Sequence, residues 1–447
     1  MAMVGVRRIG APALAGLAAF AAATSAWSAE TPPPLLRHQV PLQLDGAATA
    51  WILTSTALVL LMTLPGLALF YGGMVRKKNV LATAAQAVAA TAVVTILWFA
   101  LGYSLAFGRP ADDGLNQFIG GFEAVFLNGV RPDTAHGLVR AIPEFLWIAY
   151  QMTFAIITPA LIAGAFAERI RFSGFLLFTA LWHLIVYVPV AHWVWAGGFL
   201  SAQGVLDFAG GAVVHVNSGV AGLVCALFLG PRRGWGRDNL APHNLALTMI
   251  GASLLWVGWI GFNAGSALAA DGLAATALIN TLIASATGVA GWLLIEWAER
   301  RKPTLLGMLT GAVAGLVAIT PGAGFVEPKG AFFIGLIGGA VCYVTAVWLK
   351  RKLKYDDSLD AFGVHGAGGL AGAILTGVFA SGAINPLAEG ASVWTQTWGT
   401  LVVVAWSAVA TLAILWVVKL TLGLRVEKDE EIEGLDLAVH GEALHDS

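Results

Sequence analysis

Asp207-Phe-Ala-Gly-Gly-Ala-Val-Val-His215-Val-Asn-Ser-Gly219-Val-Ala221-Gly222 and Asp357-Ser-Leu-Asp-Ala-Phe-Gly-Val-His365-Gly-Ala-Gly-Gly369-Leu-Ala371-Gly372 are two copies of one pattern. Each places an aspartate eight positions before a histidine, then Gly, Ala and Gly at offsets 4, 6 and 7 after it. Both histidines stand inside apolar runs. An ionisable side chain in hydrocarbon is costly and faces a cavity or a partner. Two of them in equivalent places of two half-chains point to one shared site near the membrane midplane, at a repeat interface.

Composition sets the class around this pattern. Hydrophobic residues make up 58% of the 447 and charged residues 11%, less than half the roughly 25% charged fraction of soluble domains. The 17 Trp and 54 Gly fit interface anchors and close helix contacts in a polytopic membrane protein. A net charge of −1 carries no signal for nucleic acid.

Residues 1–29 have the layout of a signal peptide. Arg7 and Arg8 precede an apolar run from Ile9 to Ala23, and small residues around Ser25 to Ala29 supply a cleavage site. Residues 30–46 then form an exported lead-in. From Ala47 onward the expectation is all-α, with eleven transmembrane helices over 47–70, 80–107, 144–167, 172–191, 206–229, 244–269, 273–296, 304–320, 328–349, 364–384 and 393–420. With Met74 to Asn79 inside, eighteen Lys and Arg face inward between Arg76 and Lys428. Only Arg37, Arg109, Arg131, Arg140 and Lys329 face outward. The positive-inside rule therefore puts the N-terminus outside and the tail, 421–447, in the cytoplasm of a cell whose inner membrane holds the protein. His215 and His365 fall on the fifth and tenth helices, which cross in opposite directions. The halves 47–229 and 244–384 thus read as a 5+5 inverted repeat, with 393–420 an extra helix and a pore through each subunit.

At such a site two neutral imidazoles can share one proton and turn one donor and one acceptor to the lumen, which suits a small polar solute. Packing histidines and a zinc pair are the competing readings. Zinc wants three or four ligands, and no third or fourth is evident, so neither metal nor other cofactor is expected. Asp207 either attracts cations directly or hydrogen-bonds backbone donors that orient the site; a bare carboxylate in the path would hold a cation too tightly for release, which favours the second. Asp357, with Asp356 and Asp360, stands at the inner mouth, or simply in a solvated loop. Trp193 and Trp195 close the fourth helix, and Tyr150 and Phe154 form an i, i+4 pair. A ring face attracts a cation by about 0.5–2 kcal/mol, so an aromatic cup is available at the outer end, although each ring taken singly also reads as core or interface belt. Cys225 and Cys342 lie on membrane helices, and no disulfide is expected.

Five ordered segments carry a family resemblance: Gly164-Ala-Phe-Ala-Glu168-Arg169-Ile-Arg171-Phe-Ser, Ala191-His-Trp-Val-Trp195, Asp207-Phe-Ala-Gly-Gly, Gly258-Trp259-Ile-Gly-Phe262-Asn263-Ala-Gly-Ser266-Ala and Phe362-Gly-Val-His365-Gly. The chain resembles the bacterial ammonium transporter (Amt) family along nearly all of its mature length. The resemblance implies recruitment of ammonium at an outer vestibule by Trp195 and Ser266, with Tyr150 and Phe154 beside them and Tyr150 standing where many members have Phe. Phe154 and Phe262 match the stacked gate, His215 and His365 the paired lumen histidines, Trp259 a pore-lining Trp, and Asp207 a structural aspartate near the vestibule. It also implies a homotrimer, deprotonation near the gate, passage of ammonia with separate, electrogenic proton transfer, and a tail, Gly423 to Glu442, that packs beneath the pore and meets PII-type regulators. A solvated acidic tail is the competing reading. A Rhesus-type neutral gas channel and an ammonium sensor remain as alternatives. An enzyme does not, because the chain shows neither a Gly-x-x-x-x-Gly-Lys-Ser/Thr phosphate loop nor a soluble catalytic domain.

Overall fold

A computed structural model describes residues 35–444; the expected signal peptide lies outside the described residues. Ten helices in them are long and apolar enough to cross a membrane. They are α1 (Gly46–Met74), α2 (Lys77–Phe107), α3 (Glu144–Phe166), α4 (Phe172–Ala202), α5 (Gly211–Leu229), α6 (Leu245–Gly265), α7 (Gly272–Arg300), α9 (Pro328–Leu353), α10 (Phe362–Phe379) and α11 (Val393–Thr421). The expected eighth crossing is a shorter apolar helix, α8 (Leu305–Ile319), of 15 residues, against the ~20 a full span needs. Two short tail helices follow, α12 (Lys428–Glu433) and α13 (Leu435–His440). Strands β1 (Gln39–Pro41) and β2 (Thr134–His136) pair antiparallel, Gln39 opposite His136, and fasten the N-terminal segment to the loop between α2 and α3.

Two expected boundaries differ for local reasons. Helix α4 runs unbroken to Trp195, four residues past the expected end at 191, and a separate turn, Phe199–Ala202, follows a break at 196–198; a wide turn at His183–Tyr187 leaves Pro189 in the first turn of the segment beyond it, where proline is tolerated. Residues 206–210 are not helical. Gly210 adopts φ +105°, and the Asp207 carboxylate accepts the N–H groups of Gly210, Gly211, Ala212 and Val213 at 2.5–3.0 Å. These are the donors that an α-helix start leaves unpaired, so α5 begins where Asp207 can cap it.

Both histidines sit in π-helical turns, Gly211–Val216 and Phe362–Gly366. Such turns rotate the residues that follow and recur at functional positions. The small-residue pattern has a reciprocal packing role. A Cβ on Gly219 would come within 2.1 Å of Gly366 N, and one on Gly369 within 3.1 Å of the His215 Cβ. Each offset-4 glycine thus admits the other helix's histidine segment at backbone distance, which is how two helices 150 residues apart bring their imidazoles together. Cys225 and Cys342 are buried free thiols.

Candidate functional site

At the α4 end of the line leading to the histidines lies a cavity of about 150 Å³ whose walls include Trp147, Tyr150, Phe154, Trp195, Phe208 and Ser266. Helix α3 supplies the first three from one face. Tyr150 and Ser266 hold their hydroxyl oxygens 3.3 Å apart. The hydrogens are committed elsewhere: Ser266 donates to Phe262 O at 2.8 Å, and Tyr150 lies 3.0 Å from Gly261 O and 3.2 Å from Phe262 O. The two oxygens therefore present lone pairs to the cavity. Trp195 spends its N–H on Asp207 O at 2.9 Å, which leaves the ring face available. Ring faces and lone pairs in one cup attract a small cation that carries hydrogen-bond donors.

Directly beneath, Phe154 and Phe262 stack with centroids 4.3 Å apart at 30°, and Trp195 meets Phe154 edge-on at 5.8 Å. Phe154 and Phe262 are almost wholly inaccessible to solvent. Next come His215, 5.8 Å from Phe262 and stacked on Trp259 at 5.2 Å, and then His365, stacked on His215 at 5.3 Å. The two Nδ1 atoms are 3.3 Å apart. A proton shared there leaves one Nε2 as acceptor and the other as donor along the line. His215 Nε2 meets no protein partner among the described residues. Trp259 is pinned by its N–H to Thr320 Oγ1 at 3.0 Å. Beyond His365 a smaller cavity of about 40 Å³ opens beside Tyr71, Leu359 and Asp360.

Cup, ring pair and histidines thus follow one another in contact, Trp195, Tyr150 and Ser266 first, then Phe154 and Phe262, then His215 and His365, with Trp259 beside His215 and Asp207 beside the start. Trp193 is not among them. Two residues before Trp195, it points to the opposite flank of α4, donates to Phe118 O at 2.8 Å and packs on Phe199 and Trp406. Trp147 and Phe208 were missed in sequence. Trp147 stands three residues before Tyr150, one helical turn along the same face, and that spacing was a usable signal.

The solvated-loop reading of the Asp357 region is corrected by the structure. Asp356 and Asp357 are buried. Asp357 accepts the N–H groups of Ala361 and Phe362 at 3.1 and 2.8 Å, a counterpart to the Asp207 cap. Asp356 takes Arg232 bidentately at 2.8 and 2.9 Å. Burial alone would raise its pKa, but the Arg232 guanidinium outweighs burial and holds the carboxyl below its usual range. Arg232 also reaches Glu168, which pairs with Arg76 at 3.0 Å, while buried Arg169 donates to Ser358 Oγ and Asp356 O. This network ties four inter-helix loops together around the mouth. The tail docks on it, with Val426 N donating to Arg169 O at 3.1 Å, Glu431 accepting from Arg233 N at 2.7 Å, Leu435 N donating to Asn79 Oδ1 and Ala82 N donating to Asp436 Oδ1, both at 2.8 Å. It is a folded element, and the solvated-tail reading does not describe it.

The Ammonium Transporter Family model matches residues 50–444. The chain belongs to the ammonium transporter family. An ammonium transporter of Bacillus subtilis is 50% identical over 401 residues, covering 88% of this chain and 97% of the relative. Amt1 of Archaeoglobus fulgidus is 43% identical over 401 residues, covering 89% and 98%. The crystal structure of Mep2 from Saccharomyces cerevisiae superposes with a TM-score of 0.79 at 38% identity, covering 87% of this chain and 89% of that one. The structure of a sensor Amt protein gives 0.80 at 29% identity, covering 88% and 98%. As a member of the ammonium transporter family this is a membrane transport protein for ammonium, not an enzyme.

Proposed function

We propose that this transporter recruits ammonium from outside at the Trp195 cup, strips its proton near the Phe154–Phe262 pair, and passes ammonia along His215 and His365 to an inner mouth beside Asp360. The observation that carries the reading is the stacked phenylalanine pair lying between an oxygen-lined aromatic cup and a histidine pair. Moving a bare cation through that apolar constriction is prohibitive, whereas a neutral amine crosses at modest cost. Potassium cannot lose a proton and is turned back. The proton travels separately, making transport electrogenic, and the shared Nδ1 hydrogen bond gives it a place to pause. The Lys and Arg distribution supports the Trp195 end as the outer one in a plasma (inner) membrane, with residues 1–29 removed, residues 30–46 outside and the tail in the cytoplasm. The working assembly is a homotrimer with one pore per subunit.

Current across a supported membrane loaded with purified protein, after matched ammonium and potassium pulses, tests the reading. A transient with ammonium alone is expected. Ammonia permeation without current would make it a Rhesus-type gas channel, and silence in both would make it a sensor. Trp195→Leu removes a ring worth about 1 kcal/mol to a cation. The half-saturating ammonium concentration should then rise roughly fivefold, with the melting profile unchanged. An unaltered concentration dependence would reject the cup.

The docked tail presents the exposed Glu433, Leu437 and Glu442 beside Lys77 and Lys78 around a cavity of about 230 Å³. We infer that a PII-type protein docks at this inner face. Retention of a PII protein on immobilised transporter is expected under at least one nucleotide condition, and failure under all of them rejects it.

A further inference from the structure

The vestibule wall is fastened from behind by a cluster that the transport line does not use. The N-terminal segment before α1 carries His38, whose ring nitrogens lie 2.5 Å from Glu123 Oε1 and 2.7 Å from Glu144 Oε1. Glu144 opens α3 and is completely buried. Its Oε1 also accepts from Tyr103 Oη at 2.7 Å, and its Oε2 accepts from Gln39 Nε2 at 2.7 Å and Thr134 Oγ1 at 3.1 Å. The first turns of α3 then deliver Trp147, Tyr150 and Phe154 to the cup.

A second link runs through His136 of β2. Its ring stacks on His38 at 5.2 Å and 26°. Its Nε2 lies 2.9 Å from Phe107 O, a pure acceptor, so that nitrogen carries the hydrogen, and its Nδ1 accepts the Leu138 N–H at 3.1 Å. Leu138 lines the cup. His136 is thus a neutral, fully bonded ring. Burial pushes its pKa down to about 4, and the neighbouring His38 charge adds to that.

His38 cannot be neutral without loss. Ionised carboxylates only accept, and a neutral imidazole has one N–H. With both ring nitrogens within 2.7 Å of carboxylate oxygens, a neutral ring would point one lone pair at an anion. One proton on His38 satisfies both contacts. We propose that His38 and Glu144 form a clasp that positions the outer vestibule of the transport line, so that ammonium recruitment follows the charge on that clasp. The inference rests on the vestibule reading above. His38 and Glu144 are positioning residues, acting through Trp147, Tyr150 and Leu138.

The groups facing His38 are Glu123 from the α2–α3 loop, Glu144 from α3, His136 from β2 and Tyr103 from α2. Arg37 and Arg109 contribute only backbone N–H bonds to Glu123, at 3.3 and 3.1 Å. Burial works against a charged His38, but the hydrogen bonds to Glu144 and Glu123 outweigh it and raise its pKa above 6.5. For Glu123, burial is outweighed by the His38 bond and the Arg109 N–H, which lower its pKa below 4.5. A raised histidine stabilises fully below its unfolded value and loses that contribution as pH rises through the folded one. A depressed carboxylate stabilises above its unfolded value and loses that contribution as pH falls. The clasp is therefore fully formed between 4.5 and 6.5. It opens on the alkaline side as His38 deprotonates and on the acid side as Glu123 takes up a proton.

The test uses full-length protein in supported membranes, with the ammonium concentration series repeated across external pH. His38→Gln keeps an amide able to reach one carboxylate but cannot titrate. Its half-saturating concentration should rise about fivefold, the lower end of ordinary site-to-site coupling, with a smaller change in maximal current. The alkaline weakening expected of the native protein should be absent. A His38→Gln variant with the native concentration dependence at every pH would overturn the clasp. Should that variant fail to fold, Glu123→Gln decides: it removes one of the two anions that raise His38, so the alkaline transition should move to lower pH, and an unmoved transition overturns the proposal. Trp195→Leu separates the two readings. If Trp195→Leu raises the half-saturating concentration and the clasp variants do not, only the clasp falls; if Trp195→Leu changes nothing, the vestibule itself falls.

Discussion

Asp207→Ala is expected to lower the apparent unfolding temperature of the purified protein by roughly 3 °C and to remove most ammonium-driven current. The side chain is buried and accepts four consecutive backbone N–H groups at 2.5–3.0 Å. Alanine leaves these donors at the start of α5 without a partner, and a buried unsatisfied donor costs about 1–3 kcal/mol. Since the four share one carboxylate, the costs do not sum in full, and about 3 kcal/mol is the expected size. The transport effect follows from geometry. Asp207 O accepts the Trp195 indole N–H at 2.9 Å, so the same turn fixes the cup's Trp and the helix that carries His215. Asp207→Asn should fall between the two, because its amide oxygen still accepts while its NH2 group faces the donors. Thermal unfolding followed by intrinsic fluorescence, paired with current recordings, reads both effects. An alanine variant with native melting and native current would show that the turn holds without its cap.

How much of this was legible in sequence depends on how local the cause was. The histidine pair could be read because an imidazole in an apolar run needs a reason, and the reason recurred at matched offsets. The gate could not be read from composition: Phe154 and Phe262 are ordinary core residues until their rings are seen 4.3 Å apart, and only the family resemblance assigned them. The inner carboxylates were ambiguous because an aspartate near a loop is usually solvated. What buries Asp356 is Arg232, 124 residues away, and what reaches Ser358 is Arg169, 189 residues away. The His38 clasp was invisible for the same reason, its carboxylates being 85 and 106 residues downstream. Long-range ion pairs leave no periodicity. Helix lengths were blurred by the π turns, which let a chain pass a proline or rotate its register without a break in hydrophobicity, as in α4.

Substituting both lumen histidines, His215→Ala with His365→Ala, should reduce discrimination between ammonium and potassium by at least about tenfold, or ~1.4 kcal/mol in relative barrier. The argument is one of space and polarity together. The rings are nearly inaccessible and stacked on each other, His215 also on Trp259, and they stand between the Phe262 ring and the lower cavity with their Nδ1 atoms in contact. Removing both imidazoles vacates room for on the order of one water each and deletes the shared Nδ1 contact. Water in that stretch changes what can cross, because a potassium ion then keeps part of its hydration where the native stretch offers it two neutral imidazoles between aromatic rings. Ammonium no longer has to lose its proton, so the advantage of a substrate that can do so disappears. Total current with ammonium need not fall, and the informative quantity is the ratio of potassium to ammonium currents under matched gradients. The single variants separate the contributions: with His215→Ala, His365 keeps its place beside the lower cavity, whereas with His365→Ala the Nδ1 of His215 loses its partner. A double variant that still conducts ammonium and excludes potassium as the native protein does would move selectivity upstream to the phenylalanine pair and the cup, and would leave the histidines a proton-transfer role alone.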